Sequence, residues 1–163
     1  MPSENAVGSE YDVSALVAAI ARGAEDGTLA RFLEPYRWSV LAHYVKPLAL
    51  ERGHLLISQG ERDRKVFFVE SGDLKVDMKT SVGLIHLAIL GPGTVVGEGN
   101  FFCHASRNAS VSVYSDCKLW ELDPARFNDL SHEHPGVALA LTLALGAVLS
   151  ARMSDLTKRL AIT

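Results

Sequence analysis

Hydrophobic positions along the chain change their spacing twice. At the start they recur at helical intervals: Tyr11, Val13, Leu16, Val17 and Ile20 line one face of a first helix that Gly23 ends. Leu29, Phe32, Leu33, Trp38, Leu41 and Tyr44 line a second helical stretch, Thr28 to Tyr44, which Pro35 breaks or restarts. From Pro47 to Asp123 short apolar runs replace the helical spacing, at Leu48–Leu50, Leu55–Ser58, Val66–Glu70, Leu74–Lys79, Leu84–Leu90, Ala109–Tyr114 and Lys118–Leu122. Turn signals separate them at Arg52-Gly53, Gly60-Glu61, Ser71-Gly72, Val82-Gly83 and Gly91-Pro92-Gly93. Within one run Leu74, Val76 and Met78 alternate with Lys75, Asp77 and Lys79, which predicts a strand with one dry face and one wet face. After Pro124 helical spacing returns, in a short helix over 125–132 and a long one from Gly136 to about Leu160. The long element begins with period-two alternation, Val137 to Leu149. Ala and Leu are strong helix formers and no turn residue interrupts the run, so a helix is expected, with Gly146 as a point of close approach.

These elements predict a mainly β fold with flanking helices: a β-roll, a jelly-roll-like barrel, with N-terminal helices covering one end and a long C-terminal helix. The chain divides into an N-terminal helical segment, 1–45, and a β-roll with C-terminal helices, 46–163, forming one domain overall. At 163 residues it is long enough to bury roughly 70% of its unfolded surface. Residues 1–10 are polar and read as a frayed leader. The uncharged run Val137 to Leu149 is too short to span a bilayer, so no membrane partner is expected and the helix must be buried on several sides. Leu145, Leu149, Met153, Leu156 and Leu160 form a seam suited to the same helix of a second chain, giving a homodimer; the alternative is a helix folded back on its own barrel.

Charge narrows the function classes. A net charge of -3 supplies no basic field, so direct nucleic-acid binding is not expected. Two cysteines, Cys103 and Cys117, make no disulfide framework. With no basic-then-apolar leader at the N-terminus, reduced thiols in a cytoplasmic protein are the simpler reading, and the sequon at Asn108 is read as accidental. His132-Glu133-His134 with Cys103-His104 could suggest a metal, but His-x-His at a polar helix end reads as a solvated cap, and no nucleophile–base or paired-carboxylate arrangement stands out, so neither metal nor catalysis is expected.

Candidate chemistry gathers between Val95 and Val111. Gly97-Glu98 opens a short loop with a carboxylate and free backbone N–H groups, and nine residues later comes Arg107, followed by the small Ala109. A guanidinium fork and small residues suit a phosphate, which the backbone can then approach closely. Glu98 would repel that phosphate, so its partner must be a hydrogen-donating part of the same ligand, such as a sugar hydroxyl. Phosphate plus sugar points to a nucleotide.

These residues resemble the phosphate-binding cassette of the cyclic nucleotide-binding domain, shared by the catabolite activator family and protein kinase A regulatory subunits. The resemblance runs without a gap from Gly97 to Val111, and Gly53, Gly60 and Gly72 resemble the glycines of the family's strand turns. Because no helix-turn-helix follows, the likeness is to a stand-alone bacterial form. The resemblance implies that Arg107 binds the phosphate of cyclic AMP or cyclic GMP, and Glu98 the ribose 2'-hydroxyl. It implies that Gly97, Gly99, Asn100, Asn108 and Ala109 complete the cradle, with a helical turn over 100–103 aimed at the anion. It further implies that the last helix lids the base, through Arg152, Met153 or Leu156. In the empty site Glu98 is expected to pair with Arg107. No cofactor is implied beyond the nucleotide, and the downstream protein is unnamed. Gly99, Asn100, Ser106 and Asn108 depart from the family pattern. They support two rival readings: a degenerate module kept as a dimerisation or docking scaffold, or a site for a cyclic dinucleotide.

Overall fold

The computed structural model describes residues 11–23 and 28–161. Its strands are β1 (Lys46–Leu50), β2 (Leu55–Ile57), β3 (Val66–Ser71), β4 (Leu74–Thr80), β5 (Gly83–Leu90), β6 (Val95–Val96), β7 (Ser110–Val113) and β8 (Cys117–Leu122). They pair into two antiparallel sheets, in the orders β1-β8-β3-β6 and β2-β7-β4-β5. This is the jelly-roll-like architecture that the short, evenly punctuated runs predict. Only β6 was not legible, because two residues carry no periodicity.

The first sheet is buried on both faces, which explains the unbroken apolar run Val66-Phe67-Phe68-Val69. Phe67, Val69, Leu119 and Val96 point into the barrel toward Ile57, Leu74, Val111 and Val113 of the second sheet. Val66, Phe68, Trp120 and Leu122 point the other way, into a larger core that the helices share. Those helices are α1 (Ser14–Arg22), α2 (Thr28–Phe32), α3 (Pro35–Leu41), α4 (Glu98–Phe101), α5 (Pro124–Glu133) and α6 (Pro135–Ala161). The N-terminal helices therefore cover a face of the first sheet, with Trp38 edge-on to Phe68 at 5.2 Å, rather than one end of the barrel. Pro35 and Pro124 stand in the first turns of α3 and α5, where a missing N–H costs nothing, and the Asp123 carboxylate caps α5 by accepting from the Arg126 N–H at 2.8 Å. The expected leader, 1–10, lies outside the described residues.

Two further expectations change. The alternation in β4 holds for Leu74, but beyond a bulge between Val76 and Asp77 the strand is only half-buried on both faces, because its neighbour β5 is the edge of the sheet and carries exposed Leu84, Ile85, Leu87 and Ile89. In α6, Pro135–Lys158 is long and apolar enough to cross a membrane by length and composition, a longer stretch than the uncharged run alone. One side of it is nevertheless committed: Ala138, Leu141, Ala144, Leu145 and Val148 are buried in the shared core. Leu145 thus belongs to the chain's own interior and not to a seam between chains. The apolar residues that α6 leaves exposed are Leu139, Leu143, Met153 and Leu156; the side chain of Leu160 is outside the description. Gly146 is no point of close approach, since a Cβ there would meet only the Phe102 ring, at 3.8 Å.

Candidate functional site

Sheet two, the 97–109 loop and α6 enclose a cavity of about 340 Å³. Its formation begins at Gly97, which ends β6 with a φ of 89°. A Cβ at this position would lie 2.6 Å from the Lys65 carbonyl oxygen and 2.9 Å from Nη1 of Arg107, so both backbone and space demand glycine. The left-handed turn starts α4 at Glu98. The helical turn therefore runs over 98–101, two residues earlier than expected, and puts the Glu98 side chain into the cavity wall. Gly99 follows with open space at its Cβ position and no positive φ; nothing structural requires glycine there.

All eight residues singled out from the sequence line this one cavity: Gly97, Glu98, Gly99, Asn100, Arg107, Asn108, Ala109 and Arg152. Asn100 turns its side chain away to brace the loop, donating to the Ala105 carbonyl at 2.6 Å. Asn108 stands at the exposed rim. Of the three lid candidates on α6, Arg152 reaches the cavity, while Met153 and Leu156 face solvent. Leu149, one turn earlier on α6, lines it instead. It therefore does not serve the expected dimer seam, since apolar spacing cannot tell which side of a nearly all-apolar helix faces inward.

The charged groups pair differently from the expectation. Glu98 does not meet Arg107; it accepts from Nη1 of Arg152 at 2.6 Å, and Nη2 of Arg152 donates to the Val95 carbonyl at 2.8 Å. Arg107, only 4% exposed, is gripped by Asp63: Nε donates to Oδ2 at 3.1 Å and Nη2 to Oδ1 at 2.6 Å. Its remaining bonds run to the carbonyls of Lys65, 2.7 Å, and Gly97, 3.1 Å. Hydrogen bonding to Arg107 holds the Asp63 carboxyl below the usual carboxylate range, against the opposing effect of its partial burial. The four side chains are formally neutral together. Asp63 reaches the cavity only through Arg107; Arg107, Arg152 and Glu98 line it beside an apolar wall (Ile57, Val76, Val96 and Val111) and can accept a ligand that is part anion, part sugar-like donor and part flat hydrocarbon-like ring.

Asp63 is the partner of Arg107 that the sequence concealed. It sits in Glu61-Arg62-Asp63-Arg64-Lys65, a charge run that reads as a solvated turn. The local hint is its Asx turn, in which the carboxylate accepts from the Lys65 N–H at 3.1 Å. His132 and His134, set aside as metal ligands, have local roles: the first bonds the Asn128 carbonyl within its own helix, and the second ends α5 against the Tyr44 ring.

Known proteins share this fold and its family. The family described as "Cyclic nucleotide-binding domain" matches residues 47–134, more than half of the chain. Lysophospholipase nte1 of Aspergillus terreus is 26% identical over 136 residues, 81% of this chain but 9% of that protein. The CRP-like cAMP-activated global transcriptional regulator of Mycobacterium tuberculosis is 23% identical over 114 residues, covering 69% of this chain and 51% of the regulator. The chain thus spans about half of the regulator and under a tenth of the lysophospholipase. Among solved structures, a cyclic nucleotide-binding domain from Methylobacillus flagellatus superposes with a TM-score of 0.76 at 19% identity, covering 86% of each chain, a likeness of fold.

Proposed function

Because this chain belongs to the cyclic nucleotide-binding domain family, we propose that its cavity binds one cyclic nucleotide, cyclic AMP or cyclic GMP, and that binding repositions α6. The observation that carries the reading is the joining of Arg107 and Glu98, from opposite ends of one loop, in a single cavity whose other wall is apolar. In this reading the phosphodiester lies against Arg107 and the backbone of 97–100 and 107–109. The ribose 2'-hydroxyl donates to Glu98, a charged acceptor that contributes about 1.5–3 kcal/mol, and the base packs on Ile57, Val76 and Leu149. About 340 Å³ is at the small end of ligand sites, and a formally neutral set of side chains tolerates one phosphodiester charge better than two. Both points favour a mononucleotide over a cyclic dinucleotide.

Coupling to α6 runs through Arg152. A ribose hydroxyl at Glu98 competes with Nη1 of Arg152 for the same carboxylate, so occupancy changes the tie between the loop and α6. The exposed Leu139, Leu143, Met153 and Leu156 supply a surface for a second copy, whose geometry would follow α6. The protein is then a regulatory, non-catalytic cytoplasmic module that passes the signal to another protein.

One observation favours the rival scaffold reading: Arg107 already makes four hydrogen bonds within the chain and is almost wholly buried. Melting temperatures with cyclic AMP, cyclic GMP and cyclic di-GMP separate the two. At 100 times the dissociation constant, linkage gives about 2.7 kcal/mol, roughly 5–10 °C for a domain of this size. A rise with a mononucleotide that is lost in Arg107→Ala supports the sensor; no rise with any of the three at millimolar concentration leaves the scaffold.

A further inference from the structure

Sharing no lining residue with the nucleotide cavity, another and smaller cleft of about 250 Å³ is bordered by α5 and the end of α4. Pro124, Phe127, Asn128 and Ser131 form one face of α5 at helical spacing, Phe101 closes the cleft from α4, and Arg64 reaches in from the loop between β2 and β3. Arg64 is the one charged residue among these six. Its position is unusual for a guanidinium. Nη2 donates to the Phe101 carbonyl at 3.0 Å, no carboxylate pairs with the side chain among the described residues, and the Nε–H is buried without an acceptor. Among the described residues the guanidinium of this cleft-lining arginine therefore lacks a counter-charge, which an anion bound in the cleft would supply. Arg107 shows the contrast: there Asp63 satisfies the guanidinium fork.

We propose that this cleft is a binding site for a small organic carboxylate. The planar guanidinium fork matches a carboxylate, and the Asn128 amide adds a second donor at the exposed edge. Phe101 and Phe127, packed edge to face with centroids 4.7 Å apart, and Pro124 form a hydrocarbon wall that a bare inorganic anion would leave unfilled. The volume limits the ligand to a single ring or a short alkyl chain. The site is independent of the nucleotide reading, because none of its lining residues belongs to the larger cavity.

The probe is benzoate, with neutral benzyl alcohol and inorganic phosphate as comparators, titrated into the 15N-labelled full chain and followed by amide chemical shifts. The expected result is saturable benzoate binding that moves Arg64, Phe101, Phe127, Asn128 and Ser131 together, with little response to either comparator. Arg64→Gln should weaken binding by at least about tenfold. Asn128→Asp, an exposed substitution that adds a like charge without touching the core, should weaken it similarly. The proposal is overturned if benzoate fails to saturate by ~50 mM, if the shifts centre on Arg107 to Ala109, or if both variants bind as the native chain does.

Discussion

At the residue scale, two positions decide whether the site exists. Gly97 combines a positive φ with a Cβ position already occupied by the Lys65 carbonyl and Arg107. Gly97→Ala is therefore expected to lower stability by about 2 kcal/mol or more, read as a shift in urea midpoint, and to displace Arg107. Gly99→Ala, with open space and no positive φ, should be near neutral in the same assay. Asp63 is the second position. Leaving Arg107 buried and unpaired makes Asp63→Asn cost about 2–4 kcal/mol near neutral pH. Its sign with pH follows from the shift: the folded-state carboxyl titrates below its unfolded value, so its contribution is present above about pH 4 and is lost as pH falls through the depressed folded value. Melting curves from pH 7 to 3 should show native and Asp63→Asn proteins converging at the acid end. A gap of constant size would mean that Asp63 is not ionised against Arg107.

At the element scale, α6 has to serve the core and the cavity at once. Arg152 and Leu149 reach the cavity while Leu141, Leu145 and Val148 fill the interior. Gly146 contributes nothing that glycine alone can supply, so Gly146→Ala should raise stability by roughly 0.5–1 kcal/mol and leave the cavity intact, checked by thermal melting. Much of this level was legible in the sequence. Period-two runs with glycine turns located seven strands, prolines located the starts of α3 and α5, and the spacing of Gly97, Glu98 and Arg107 marked the cavity. The rest was not, for physical reasons. The two-residue β6 leaves no period, and the seam of α6 was misassigned because an Ala/Leu helix looks alike on every side. The partner of Arg107 came from 44 residues away, inside a charge run, and long-range pairing leaves no mark on local pattern.

At the scale of the whole molecule, one sheet is buried between helices and barrel while the other leaves the strand β5 exposed, and α6 links the shared core to the mouth of the cavity. The exposed Leu139, Leu143 and Met153 follow a spacing of four and ten residues, which keeps them on one stripe of α6. If that stripe joins two copies, light scattering should give a dimer for the native chain at micromolar concentration, and Leu143→Glu with Met153→Glu should give a folded monomer. A native monomer at about 100 μM, where a contact with a micromolar dissociation constant would be nearly saturated, removes the dimer from the account.

Arg107 and Glu98 are proposed to hold one cyclic nucleotide in the cavity beside α6. Calorimetric titration of the native chain and of Arg107→Ala with cyclic AMP and cyclic GMP tests it most directly. One site per chain is expected for at least one of the two nucleotides, weakened about 30-fold or more in the variant, as for any arginine truncated while buried against a ligand charge. Equal affinity in the two proteins, or no heat from the native chain at millimolar nucleotide, would contradict it.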